Sequence, residues 1–327
     1  MNIERVEQIA KAVLYEGYML YPYRPSSVKN QQRWNFGVVY PRAYSDAQQG
    51  QEACSMRTEC LVSGNADTGL EVRLRFLHLR TRWKRGAYQA AAESSSGGWQ
   101  EAVERDVSLP GYTLGKLCVE MAQHQFAFPA EAQADSEHVW RQVGVSGVID
   151  IAAERIREDV FKSSIQVRNT TPLDTCQSGR DDALLRSLVS THTILGVTSG
   201  EFISLLDPPL HLQELAAGCE NVGAWPVLVG EKGQRDTLLA SPIILYDYPQ
   251  IAPESVGDLF DGTEIDEILS LRIMTLTEEE KREIRSSDDR ARQILERTDA
   301  MPEEQFRKLH GVVRGLRPRN DPFKESA

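Results

Sequence analysis

The sequence predicts an α+β protein that is mainly β: an antiparallel, sandwich-like body with an N-terminal helix and a helical C-terminal arm. Three observations carry this expectation. Several stretches between residues 55 and 197 alternate apolar and polar side chains, the two-residue period of a half-buried strand. They follow one another without the regular crossover helices that a parallel sheet needs. Helical spacing of apolar residues marks the two ends of the chain. The expected division is a β-rich body over residues 1–253 and an acidic helical arm with a disordered tail over residues 254–327.

Residues 3–14 read as an amphipathic helix, with Ile3, Val6, Ile9, Ala10, Val13 and Leu14 at helical spacing and Asn2 as its cap. Residues 55–83 read as a β-hairpin. Met56, Thr58, Cys60 and Val62 alternate with Arg57, Glu59 and Ser63, Ser63 to Asp67 supply a turn, and Val72, Leu74 and Phe76 alternate with Glu71, Arg73 and Arg75. Residues 86–98 are a low-complexity loop. Two strands are expected within 139–170, ended by Pro172, which cannot donate to a ladder. Residues 173–182 form a polar loop. The β-branched run 184–197 reads as strand, and 238–246 as another short one. In the arm, Thr277 and Glu280 make a capping box. A second helix starts near Ser287 with Ala291, Ile294 and Leu295 on its apolar face, and a third starts at Pro302 with Phe306, Leu309 and Val313.

Composition excludes several function classes. The chain has 327 residues, enough for about two domains, so it needs no disulfide or metal staple to fold. No run of 18 apolar residues is present, which argues against a membrane-spanning helix. The charged N-terminus lacks the apolar core of a secretory signal, so a cytoplasmic protein is expected. A net charge of −11 argues against nucleic acid as a partner, because phosphate binding needs a basic footprint. The five cysteines contain no Cys-x-x-Cys pair and the six histidines no His-Glu-x-x-His, so no metal or cofactor is expected. The cysteines read as reduced thiols, most of them small buried hydrophobes. Phosphate-binding and dinucleotide-binding glycine loops are absent, as is Gly-x-Ser-x-Gly, so a non-enzymatic protein is expected.

Four features have both a functional and a structural reading. Asp258, Asp261 and Glu264 resemble a calcium loop only loosely; a turn before an acidic helix start explains them better. Arg73, Arg75, Arg80, Arg82, Lys84 and Arg85 form a basic strand. It reads as a solvated edge strand whose charge blocks edge-to-edge pairing, ahead of an anionic-partner surface or pairing with the acidic arm. That arm, over residues 254–310, holds 16 acids against 9 bases, whereas residues 1–100 hold 13 bases against 9 acids, so charge is polarised along the chain. His192, between apolar neighbours, reads as a satisfied buried histidine. Residues 15–44 concentrate eight of the 24 aromatic residues and interleave them with arginines, the composition of interface hot spots. Part of this cluster continues the first helix and belongs to the core. The rest, Tyr21, Tyr23, Arg24, Arg33, Trp34 and Phe36, is the candidate partner-binding set, with a small-ligand pocket as the lesser alternative.

Two stretches carry a family resemblance: Leu14-Tyr15-Glu16-Gly17-Tyr18-Met19-Leu20-Tyr21-Pro22-Tyr23-Arg24 with Arg33-Trp34-Asn35-Phe36-Gly37, and Ser241-Pro242-Ile243-Ile244-Leu245-Tyr246-Asp247-Tyr248-Pro249 through Thr277-Glu278-Glu279-Glu280. Over most of its length the chain resembles an uncharacterised protein family encoded beside the genes for high-affinity, oxygen-tolerant nickel–iron hydrogenases of soil bacteria. The resemblance implies a role in hydrogenase assembly, maturation or association and brings no catalytic residues with it. Without paired Cys-x-x-Cys motifs the chain does not fit a metal-bearing hydrogenase subunit, and without a phosphate-binding loop it does not fit a GTP-dependent nickel-insertion factor. The expected function is therefore an accessory, scaffold or assembly protein that binds hydrogenase subunits or maturation factors. The rivals are a metal-dependent enzyme built from dispersed carboxylates and a histidine, and a small-ligand module in a β-sandwich pocket.

Overall fold

A computed structural model describes residues 3–15, 33–86, 98–174, 179–250, 273–287, 289–302 and 304. These form two units, a β-rich body ending at Gln250 and a pair of helices after it. The body is mainly antiparallel β, as the sequence predicts.

One sheet contains β1 (Ser55–Ser63), β5 (Ala122–Phe128), β8 (Val145–Arg155), β9 (Val160–Asn169) and β11 (Glu201–Ile203), in the order β11-β1-β9-β8-β5. The other is centred on β2 (Gly69–Lys84). On one edge of β2 lie β10 (Val189–Thr198) and, further along, β7 (His138–Gln142); on its opposite edge lie β3 (Trp99–Ser108) and the short β4 (Tyr112–Thr113). Beyond β10 come β13 (Thr237–Ser241) and β12 (Trp225–Leu228), and beyond β7 comes β6 (Glu131–Ala134). The two sheets share one core. Cys60, Val62, Ile149, Phe161 and Ile165 from the first meet Leu70, Val72, Leu74, Phe76 and Leu195 from the second.

The outer face of the second sheet is covered by α1 (Ile3–Leu14), which lies against β10 and β13. Its buried Val6, Ile9, Ala10 and Leu14 are the apolar stripe read from the sequence. Glu7 on the same helix pairs with Arg73 of β2 at 2.5 Å.

Strands β1 and β2 form where expected, but they are not a hairpin. Alternation shows which side chains are buried, not whether the next strand lies beside them or opposite them. Here β1 pairs with β9 and β11, β2 pairs elsewhere, and their buried faces oppose each other across the core. The connecting turn directs this crossing. Asn65 N donates to Thr68 Oγ1 at 2.9 Å, Asp67 N to Asn65 Oδ1 at 2.8 Å, and the Thr68 hydroxyl to the carbonyl of Ser199 in the other sheet's connection at 2.9 Å.

The basic strand is likewise internal, not an edge. Its arginines are matched by acids on β3: Arg75 with Glu104 at 3.0 Å, and Arg80 and Arg82 with Glu101 at 3.1 and 2.9 Å. With partners on both sides, the strand is not the solvated edge that the sequence predicts.

Residues 139–170 hold three strands, not two, because β7 precedes β8. The strand expected from 184 begins only at Val189; α4 (Arg180–Leu184) occupies its start. Ser190 has φ 50°, and the β2–β10 register shifts between Val189 and His192. The strand expected to reach 246 stops at Ser241, before Pro242. The elements between 99 and 134, including α3 (Leu114–Val119), had no sequence assignment. Two further short helices are α2 (Arg42–Ala47) and α5 (Gln213–Ala217).

In the second unit, α6 (Glu278–Ser287) and α7 (Asp289–Asp299) pack together, with Ile284 and Leu295 buried. The capping box forms: Glu280 N donates to Thr277 Oγ1 at 3.3 Å and Thr277 N to Glu280 Oε2 at 2.8 Å. Lys281 and Arg285 of α6 both reach Asp299 of α7, at 2.8 and 3.3 Å. The helix expected from Pro302 lies outside the described residues, apart from its first positions.

Candidate functional site

The candidate partner-binding set divides. Tyr21, Tyr23 and Arg24 lie outside the described residues, as do Asp258, Asp261 and Glu264 of the rival metal reading. Arg33 and Trp34, expected at the surface, are buried, Trp34 with only 3% exposure. The Arg33 guanidinium lies 3.8 Å from the centre of the Trp99 ring. Its Nη2 donates to the Gln100 carbonyl at 2.9 Å, and Trp34 Nε1 donates to Gln100 Oε1 at 3.1 Å. Cation–aromatic stacking and two hydrogen bonds thus fasten this segment to β3. Arg180, at the start of α4, holds it from the other side by donating to the Arg33 carbonyl at 3.1 Å and to Asn35 Oδ1 at 2.8 Å.

The next residues continue the attachment along β10. Ser190 N donates to the Phe36 carbonyl at 3.1 Å and Thr191 N to the Gly37 carbonyl at 3.0 Å. Gly37 has φ 54°, and a Cβ there would stand 2.6 Å from Pro242 Cγ, so glycine is required. Phe36, 42% exposed, keeps a surface position. Residues 33–37 are therefore chiefly a structural pin.

His192 is fully buried and satisfied, as expected. Its Nδ1–H donates to the Ser190 carbonyl at 2.7 Å, leaving Nε2 to accept from the Ser241 hydroxyl at 3.1 Å. Burial pushes its pKa down to about 4; Arg75 lowers it further, and the Ser190 carbonyl opposes the shift. Ser and His thus touch as a nucleophile and base would, but both are enclosed in the protein. Ser241 also accepts from Ile243 N at 3.0 Å, so the pair fixes the exit from β13.

That exit leads to a surface the sequence reading did not single out. From Ser241, opposite Trp225 in register, the chain returns to Tyr248, whose N–H donates to the Leu228 carbonyl at 2.7 Å. It therefore runs along the outer side of β12. Asp247 joins the two sheet edges there. Its Oδ1 accepts from Leu228 N at 2.8 Å and its Oδ2 from the Ser204 hydroxyl at 2.5 Å, just beyond β11. Within a few residues in sequence of the groups that this clasp joins are Leu206, Trp225, Ile244 and Tyr246, with exposures of 55, 51, 70 and 83%. The neighbouring Val222 is also exposed. Pro226 lacks an N–H, so the edge of β12 offers little to an added strand, and the rim presents side chains in its place. The signal in the sequence was the aromatic and aliphatic run 243–248 straight after a proline that ends a strand.

Among the described residues, no group of three His, Cys, Asp or Glu side chains is placed to hold a metal ion. Of the cysteines described, Cys60 is buried, Cys54 and Cys219 are half-buried and Cys118 is exposed, so burial is the exception and not the rule expected. Desolvation pushes the Cys219 thiol up to about 11 and the Cys60 thiol higher, which keeps both protonated.

The fold is a mainly antiparallel β-sandwich with exposed apolar side chains near one of its edges. No protein-family model matches the chain, and no curated protein does.

Proposed function

We propose that the chain is a non-enzymatic accessory protein of the cytoplasm that works by protein–protein contact, its partner a subunit or maturation factor of a nickel–iron hydrogenase. The observation that carries the contact reading is the rim of Leu206, Trp225, Ile244 and Tyr246. Four large apolar side chains are exposed on segments tied to the same carboxylate, and Trp and Tyr are the residues that dominate interface energetics. The Asp247 clasp holds their backbone in place, which lowers the ordering cost of binding. The choice of partner rests on the family resemblance. The acidic net charge supports a protein over a nucleic acid. Four free thiols support a reducing compartment.

The test is affinity capture from the native host followed by mass spectrometry, comparing the natural chain with Trp225→Ser/Tyr246→Ser. Enrichment of hydrogenase polypeptides by the natural chain, lost in the variant at unchanged melting temperature, is the expected result. Enrichment retained by the variant would move the contact surface elsewhere, and absence of hydrogenase polypeptides would remove the proposed partner.

A further inference from the structure

The second sheet carries a separate feature at the far end of β2. On one face of this strand Leu70, Val72, Leu74 and Phe76 line the core. The same face then changes character to His78, Arg80 and Arg82, following the two-residue period of the strand. Cross-strand neighbours of these residues are Glu101 and Trp99 on β3 and Trp140 on β7. Here an open cleft of about 340 Å³, counting space open to solvent, is lined by Arg80, Val103, Arg105, Glu131, Gln133, Trp140 and Gln142.

The two arginines are held differently. Arg80 is fixed by buried Glu101, which accepts its Nε and Nη2 at 3.3 and 3.1 Å. Glu101 also accepts Trp140 Nε1 at 3.1 Å and pairs with Arg82 at 2.9 Å, so its carboxylate is fully engaged. Arg105 lies 4.8 Å from the Phe128 ring centre and donates to two neutral groups, Gln142 Oε1 at 2.9 Å and His78 Nδ1 at 3.5 Å. Burial pushes the His78 pKa down to about 4 and the Arg105 charge adds to the shift, against the Val143 carbonyl, which accepts from Nε2–H at 2.7 Å; the ring is neutral and Nδ1 is free to accept. The carboxylate facing Arg105 is Glu131, at 3.4 Å, 43% exposed and carried on β6, all of whose residues are exposed. An exposed ion pair of this kind contributes little and exchanges readily.

We propose that this cleft binds a small monocyclic carboxylate, whose carboxylate replaces Glu131 on Arg105 and whose ring rests against Trp140 and Val103. The three arginines outnumber Glu101 and Glu131 by one, so the local excess charge is positive within a chain of net −11. The indole of Trp140 and the Val103 side chain supply the apolar part of the lining, and the cleft is open enough to admit only the edge of one small ring. Glu131 thus acts as a resident competitor that an incoming anion displaces.

The test uses the full chain and benzoate as probe, with benzamidine as a control of similar shape and opposite charge. Binding is read from the indole N–H resonance of Trp140, identified by its loss in Trp140→Phe. Benzoate should shift that resonance saturably and benzamidine should not. Arg105→Gln should weaken benzoate about tenfold, equivalent to ~1.4 kcal/mol. Glu131→Gln should tighten it about two- to fivefold by removing the competitor. Glu131 is on an exposed strand, so this variant keeps its fold and its result decides. Equal response to both probes, no saturable shift with benzoate, or an unchanged or weaker affinity in Glu131→Gln would overturn the proposal.

Discussion

Trp34 has φ 64°, a left-handed conformation that costs a non-glycine residue roughly 1–3 kcal/mol. The conformation persists because the indole is buried and bonded to Gln100 while Arg33 stacks on Trp99. Removing that side chain leaves a large void beside β3. Trp34→Ala should therefore destabilise the body by about 3–5 kcal/mol, read as a marked fall in melting temperature. An unchanged melting temperature would return Trp34 to the surface. The sequence showed Tyr, Trp and Arg together, but that composition suits a hot spot and a core pin equally; burial decides between them. The buried histidines add a pH dependence. The pKa of His192 falls from 6.5 to about 4 on folding, so the unfolded chain takes up the proton first. Its contribution is complete above pH 6.5 and is lost as pH falls toward 4; His78 behaves alike. Chemical-denaturation midpoints should decline over that window, and the decline should be shallower in His192→Gln. A flat profile in the natural chain would contradict the burial of both rings.

At the scale of elements, the end of the β12 edge depends on Asp247. Pro226 cannot donate, and the Leu228 N–H and carbonyl are occupied by Asp247 and Tyr248. Asp247→Ala frees Leu228 N and the Ser204 hydroxyl and releases the segment that carries Ile244 and Tyr246. The variant should self-associate with rising concentration, as exposed strand edges do, and light scattering would show it. If its scattering matches that of the natural chain at every concentration and it is equally stable, the clasp has no protective role. Four strands were legible because alternation survives burial on one face, and β10, buried on both, was legible from its β-branched side chains: β1, β2, β8, β9 and β10 stand close to where the sequence puts them. Their partners were not legible. The turn at Asn65–Thr68 has ordinary hairpin composition, yet its side-chain bonds send the chain across to the other sheet. Strand β3 was missed because Glu101, Glu104 and Asp106 give it the look of a solvated segment until the facing arginines of β2 are in place. The α6 start was read correctly because a capping box is local, with both its partners three residues apart.

At the scale of the whole molecule, the charge polarity of the sequence is much weaker in the folded body than along the chain. The basic strand is paired internally with β3 and α1, and the acids of the helical unit are partly used in binding Lys281 and Arg285 to Asp299. A partner recognised by long-range charge would then meet little unpaired basic surface on β2. The rim of Leu206, Trp225, Ile244 and Tyr246 is apolar, and it offers area removed from water as its source of affinity. The two sources respond oppositely to salt. Raising ionic strength from about 0.1 M to about 1 M shortens the Debye length from about 10 Å to about 3 Å and screens exposed charges. Burial of apolar surface is not weakened by that screening. The affinity for the captured partner should therefore change by less than about threefold across this range, whereas each recognising ion pair lost would add its own decline. Calorimetry on the purified pair should also show a negative heat-capacity change, the mark of apolar burial. Loss of binding at high salt with no heat-capacity signature would assign recognition to charged surface and leave the rim without its proposed role.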